Sequence, residues 1–163
     1  MGGEGGGILG TLTVRHSPTS ASQVRRCLAE DLRRSGITGD VVADAALLAS
    51  ELVGNSVRHA RPLPGGLLRI DWCVDGGRLV LRVTDGGSGR APHLRDAGPF
   101  DTRGRGLAIV AALAQAWGVE RVVDGRRNES TVWAQLRPAV TAGPMAGHAG
   151  RIGTSALPYA GQP

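Results

Sequence analysis

The chain has 163 residues, 41% of them hydrophobic, and a formal net charge of +5, which fits one domain with its own core. All 19 basic residues are arginine. The lack of lysine excludes the phosphate loop G-x-x-x-x-G-K-[ST], the strand lysine of eukaryotic-type protein kinases and Schiff-base catalysis by a lysine amine.

Residues 1–7 are glycine-rich and read as a flexible lead. They lack the basic-then-apolar order of a signal peptide, and Gly6 stands where a myristoylation motif wants Ser or Thr. Ile8 to Val14 predicts a short strand. Ser17-Pro18-Thr19-Ser20 signals a helix start, and Ala21 to Arg34 follows with Val24, Cys27, Leu28 and Leu32 at helical spacing. A second helix is predicted from about Gly39 to Ala60, with Val41, Ala45, Leu48, Leu52 and Val53 as its apolar stripe. The run Arg61 to Gly66, with two prolines and two glycines, ends it.

Leu68, Ile70, Trp72 and Val74 alternate with polar residues as a half-buried strand. Asp75-Gly76-Gly77 turns it into a second strand carrying Leu79, Leu81 and Val83. Residues 90–103 form a polar, proline-containing loop. The helix after it is expected to place Leu107, Val110, Ala111, Ala114 and Trp117 on one face. Val119 to Asp124 and Thr131 to Leu136 predict a second hairpin across Gly125 to Asn128. The order β-α-α-β-β-α-β-β implies an α+β two-layer sandwich over residues 8–138, with a mixed, mostly antiparallel sheet and helices on one face. Residues 139–163 lack apolar period and read as a disordered tail.

No apolar run reaches the ~20 residues of a spanning helix, so the expectation is a soluble cytoplasmic protein that does not touch membrane. Cys27 and Cys73 form no C-x-x-C pair, and the four histidines show no metal spacing. The arginines are scattered and the aromatics are five in all, a poor stacking platform for nucleic acid.

Three segments carry chemistry. Glu51 and Asn55 stand one helical turn apart at the edge of the apolar stripe. The Asn55 amide oxygen suits a hard Mg2+, Glu51 suits a general base toward a hydroxyl or water, and Arg58 suits phosphate. Asp85 closes a strand and begins Asp85-Gly86-Gly87-Ser88-Gly89. Its carboxylate can accept from an adenine amino group, and the glycines let a flat base approach the backbone. Gly104-Arg105-Gly106-Leu107 opens a helix whose free N–H groups favour phosphate, with Arg103 or Arg105 at hand for phosphoryl charge. A Rossmann fingerprint is absent, because Ile109 stands where a small residue is needed. No serine fits a nucleophile elbow; Ser56 is mid-helix.

Together the segments resemble the Bergerat-fold (GHKL) ATPases, the superfamily of gyrase B, sensor histidine kinases and MutL. Glu51-x-x-x-Asn55 matches its N-box, Asp85-Gly-Gly-Ser-Gly89 its D-x-G-x-G box, and Gly104-Arg-Gly106 its second glycine box. Thr131, in Ser130-Thr131-Val132-Trp133, is similar to the last-strand threonine that helps hold adenine. The likeness covers residues 9–137. Within the superfamily the chain is most similar to the bacterial anti-sigma-factor serine kinases, through Ser50 to Ala60 and the short lid.

That resemblance implies ATP and Mg2+ under a lid, with Asn55 on the metal and Asp85 on adenine. Gly87, Gly89, Gly104 and Gly106 would shape the pocket, and Arg105 and Leu107 would flank the phosphates. Glu51 would act as base toward a serine of a STAS-type anti-anti-sigma protein, and a sigma factor would be the held partner. It also leaves a homodimer open. Two positions depart from the family pattern: Arg105 between the lid glycines, and Ser130 where a glycine is expected. The alternative reading is a non-catalytic module that uses ATP to order its lid.

Overall fold

Alternation of apolar and polar residues gives the strands of a sheet, and a wide apolar stripe gives the helix that covers it. The computed structural model describes residues 7–75, 77–87, 105–124 and 127–138. The elements run β1 (Gly7–Arg15), α1 (Ser20–Arg34), α2 (Asp40–His59), β2 (Leu67–Asp75), β3 (Arg78–Asp85), α3 (Arg105–Leu113), β4 (Ala116–Asp124) and β5 (Arg127–Pro138). The strand order is β1-β2-β3-β5-β4, and all four pairings are antiparallel, so no parallel pair mixes into the described sheet. The lid, residues 90–103, and the tail, 139–163, lie outside the described residues.

The sheet buries one face under the helices. Leu68, Ile70, Leu79, Leu81 and Val83 from β2 and β3 meet Val24, Leu28 and Leu32 from α1 and Leu48, Leu52 and Val53 from α2 in one core. Val42 rather than Val41 is the buried first member of the α2 stripe. The opposite face carries polar pairings. There Arg69 pairs with Asp71 at 3.4 Å and with Glu129 at 3.5 Å, and Thr84 meets Thr131 hydroxyl to hydroxyl at 2.8 Å.

Helix α2 begins after Gly39, whose φ of 77° suits glycine, and carries Asp40 in its first turn and Arg58 and His59 in its last. These charges complement the helix dipole. It stops at Ala60, which is extended just ahead of Arg61 and Pro62. The start of α1 differs from an ordinary cap: Ser20 donates its hydroxyl to the Arg15 carbonyl at 2.6 Å, and Thr19 makes no side-chain cap.

Two expectations need correction at α3. The helix ends at Leu113, so Trp117 belongs to β4, and Ala111 is exposed rather than on the buried face. Sheet pairing overrides helical spacing here. The Gln115 N–H donates to the Gln135 carbonyl at 2.8 Å, and Ala116, Trp117 and Gly118 then pair with Gln135, Ala134 and Trp133. Strand β5 likewise starts at Arg127, four residues before the predicted Thr131. Among the described residues no helix is long and apolar enough to cross a membrane.

The Trp72 indole joins the layers. It is 5% exposed and donates its N–H to Asp31 of α1 at 2.8 Å. Gly10 of β1 lies directly against the ring; a Cβ there would stand 2.6 Å from Cε2. Gly10→Ala is therefore expected to destabilise the domain by about 1–3 kcal/mol through overpacking. Urea unfolding checks this, and an unchanged midpoint would show that β1 can move off the indole.

Candidate functional site

The site begins where the last turns of α2 meet the end of β3. Ser56 follows Asn55 and turns into the core, while Asp85 ends β3 on the helix-covered face. The Ser56 hydroxyl donates to Asp85 Oδ2 at 2.7 Å, and the Gly87 N–H donates to Oδ1 at 2.8 Å. Asp85 is only 3% exposed. Burial raises its pKa above the ordinary 3.8, opposed by the two hydrogen bonds and by nearby His16 and Arg121. Each carboxylate oxygen thus has one donor and keeps a second lone pair for a ligand.

Backbone bonds fix the turn after Asp85. The Gly86 N–H donates to the Arg61 carbonyl at 2.8 Å, and the Arg61 N–H donates to the Gly87 carbonyl at 3.0 Å. Gly86 is pressed against the Pro62 carbonyl, and a Cβ there would also stand 3.1 Å from the Arg61 oxygen. Gly87 has a φ of 73°, in the left-handed region that favours glycine. Gly86 is therefore small because the chain leaving α2 packs on it, a reason the sequence reading did not supply.

A row of side chains crosses the sheet end on the same face. Asp85 pairs in register with Ser130 of β5, and Ser130 with Arg121 of β4. Ser130 is 7% exposed. Thr131 faces the other way. It pairs with Thr84, whose neighbour Asp85 points to the opposite side of the sheet, so the structure does not bring Thr131 to the Asp85 carboxylate.

On α2, Glu51 is half-buried and has no hydrogen bond or ion pair among the described residues. One turn later, Asn55 Oδ1 accepts a hydrogen bond from Arg58 Nη2 at 3.0 Å. The Asn55 Nδ2 atom is buried and has no partner among the described residues. A neutral amide oxygen beside a free carboxylate suits a hard divalent cation. Among the described residues no three His, Cys, Asp or Glu side chains cluster as a metal cage. Such a cation would therefore draw its remaining oxygens from water and phosphate, as Mg2+ does.

The structure thus brings Asp85 and Gly87 against the last turns of α2 at Ser56, between Asn55 and Arg58, with Glu51 one turn earlier on the same helix. Helix α3 starts at Arg105 and includes Gly106 and Leu107, whereas Gly89 and Gly104 lie outside the described residues. Sequence reasoning gave no site role to Ser56, His16, Ser130 or Arg121. Ser56 carried a signal: it stands four residues after Leu52 and three after Val53, on the buried stripe, where a hydroxyl needs a partner. His16 carried none; its Nε2 lies 3.1 Å from the Ser56 carbonyl through a fold contact.

The raised pKa of Asp85 has a sign that can be measured. The folded protein holds this proton more tightly than the unfolded chain does. Its contribution to stability is fully present below the ordinary value of 3.8 and is lost as pH rises through the higher folded value. Asp85→Asn cannot titrate, so the stability difference should move toward wild type as pH falls from about 7 to about 4. Denaturant unfolding at several pH values checks this; a pH-independent difference would show an unperturbed carboxyl.

A family profile described as the histidine kinase-like ATPase domain matches residues 14–135. No curated protein matches the chain. Among solved structures, the Acinetobacter baumannii histidine kinase AdeS is similar over 79% of this chain and 68% of that chain, at 16% identity and a TM-score of 0.34. That likeness is too low to carry an argument. The profile, however, runs from the end of β1 into β5 and includes every site residue named above, so the chain belongs to the histidine kinase-like ATPase domain family, the GHKL-type ATPases.

Proposed function

We propose that this ATP-binding domain is an anti-sigma factor with protein serine kinase activity toward a STAS-type antagonist. The observation that carries the catalytic part is Glu51: a half-buried carboxylate without an ion pair, one turn from Asn55 on the helix that also holds Asp85. The sequence Ser50 to Ala60 supports the anti-sigma branch.

In this reading Asp85 accepts from the adenine amino group, while Ser56 and the Gly87 N–H hold the carboxylate still. Ser130, beside Asp85 on the same face, takes the adenine-side role first assigned to Thr131. Arg58 is the phosphate contact in this reading, Gly87 shapes the pocket beside Asp85, and the family resemblance assigns Gly89, Gly104, Arg105, Gly106 and Leu107 to the remainder. Asn55 would hold Mg2+, which neutralises charge on the phosphates when bound. Glu51 accepts the proton of the serine hydroxyl as its oxygen bonds to the γ-phosphorus, and the bond to the β-phosphate oxygen breaks to leave ADP. The phosphorylated antagonist then releases this protein to a sigma factor.

Asp85→Ala is expected to abolish adenine nucleotide binding, and Asn55→Ala to abolish its Mg2+ dependence, with circular dichroism unchanged in both. Titration calorimetry with ATP, with and without Mg2+, measures this; wild-type affinity in both variants would remove the assignment.

Glu51→Gln separates kinase from binding module. It should bind ATP normally yet form phosphoserine on a genomically neighbouring STAS-type protein more slowly by roughly 10²–10⁴, the usual worth of a general base. A wild-type rate would reduce Glu51 to a surface carboxylate. If the wild type itself transfers nothing to any such protein, the ATP-gated module is favoured.

A further inference from the structure

Arg58 does more than stand near the phosphates. Its guanidinium folds back along α2 and places Nη2 3.0 Å from Asn55 Oδ1. It lies over Gly54: a Cβ on that residue would stand 3.2 Å from Nη1 and 3.4 Å from Nη2. Glycine in a helix interior is less stable than alanine, so Gly54 carries a helix cost. Its φ lies outside the left-handed region, so no turn geometry requires it. What it provides is room for the guanidinium. Meanwhile the buried Asn55 Nδ2 has no partner among the described residues, so the amide is held through its oxygen.

That oxygen is the atom a divalent cation would need. Mg2+ binds oxygen at about 2.1 Å. A guanidinium nitrogen at 3.0 Å from the same atom would leave the two positive groups within about 5 Å of each other, where like charges repel. Both cannot be held there comfortably.

We propose that Arg58 competes with the divalent cation for Asn55 Oδ1, and that Gly54 sets the strength of this competition by giving the guanidinium its resting place. Arg58 is an internal counter-cation that yields the oxygen when the metal–nucleotide pair arrives. Gly54 is a positioning residue that acts only through Arg58. This inference rests on the assignment of Asn55 as the metal ligand.

The test is the Mg2+ increment, the ratio of ATP affinity with Mg2+ to affinity in EDTA, in wild type, Gly54→Ala, Arg58→Ala and the double variant. Calorimetry on the full chain supplies it. A resting hydrogen bond that must be broken lowers apparent metal affinity by the fraction of time it is formed. The increment should therefore rise roughly three- to tenfold in Gly54→Ala, the range expected for one solvent-exposed hydrogen bond of ordinary net worth. It should rise similarly in Arg58→Ala, and Gly54→Ala should add nothing in that background. A merely structural glycine would shift affinity with and without metal alike. A wild type with a clear increment and an unchanged Gly54→Ala overturns the competition alone, as does a Gly54→Ala effect that persists without Arg58. A wild type with no increment overturns the metal assignment and the competition together.

Discussion

The hydrogen bond from Ser56 to Asp85 is the contact on which the site's geometry depends. It spans from the last turn but one of α2 to the end of β3, and it places a buried carboxylate against the helix that carries Glu51, Asn55 and Arg58. A buried charge is tolerated only when its lone pairs are occupied. Here two donors, a hydroxyl and a backbone N–H, meet it, and the nearby Arg121 guanidinium offsets part of the burial cost. The reciprocal backbone bonds between Arg61 and the Gly86–Gly87 turn repeat the connection one step further out. Helix end and strand end are therefore tied twice.

The sheet divides labour by parity. Residues of one parity on β3 and β5 face the helices and supply Asp85 and Ser130; their neighbours Thr84 and Thr131 face the open side and bond to each other. A register shift of one residue would exchange these sets completely. The buried run Leu79, Leu81 and Val83 holds β3 in place and so decides which hydroxyl stands beside the carboxylate.

Much of this was legible in the sequence, because burial leaves a period. The α2 stripe and the alternation in β2 and β3 located all three elements to within a residue or two, and the spacing of Glu51 and Asn55 placed them on one helix face. Trp117 shows where the period misleads: it lies at helical spacing from Ala114, yet pairing with Ala134 draws it into β4. Thr131 and Ser130 are adjacent in sequence, and choosing between them requires the pairing partner. Gly86 shows a third limit, since its close neighbour Pro62 comes from a segment joined to it only through the fold.

The three tryptophans occupy three different surroundings. Trp72 is sealed beneath α1 with its N–H on Asp31, Trp117 borders the core from β4, and Trp133 lies against Gly118 on the open side of the sheet. The chain thus carries its own set of optical labels, one for the α1–β2 seam, one for the edge strand and one for the uncovered face. Fluorescence of variants that keep a single indole would follow each layer separately, without attaching a dye to either cysteine.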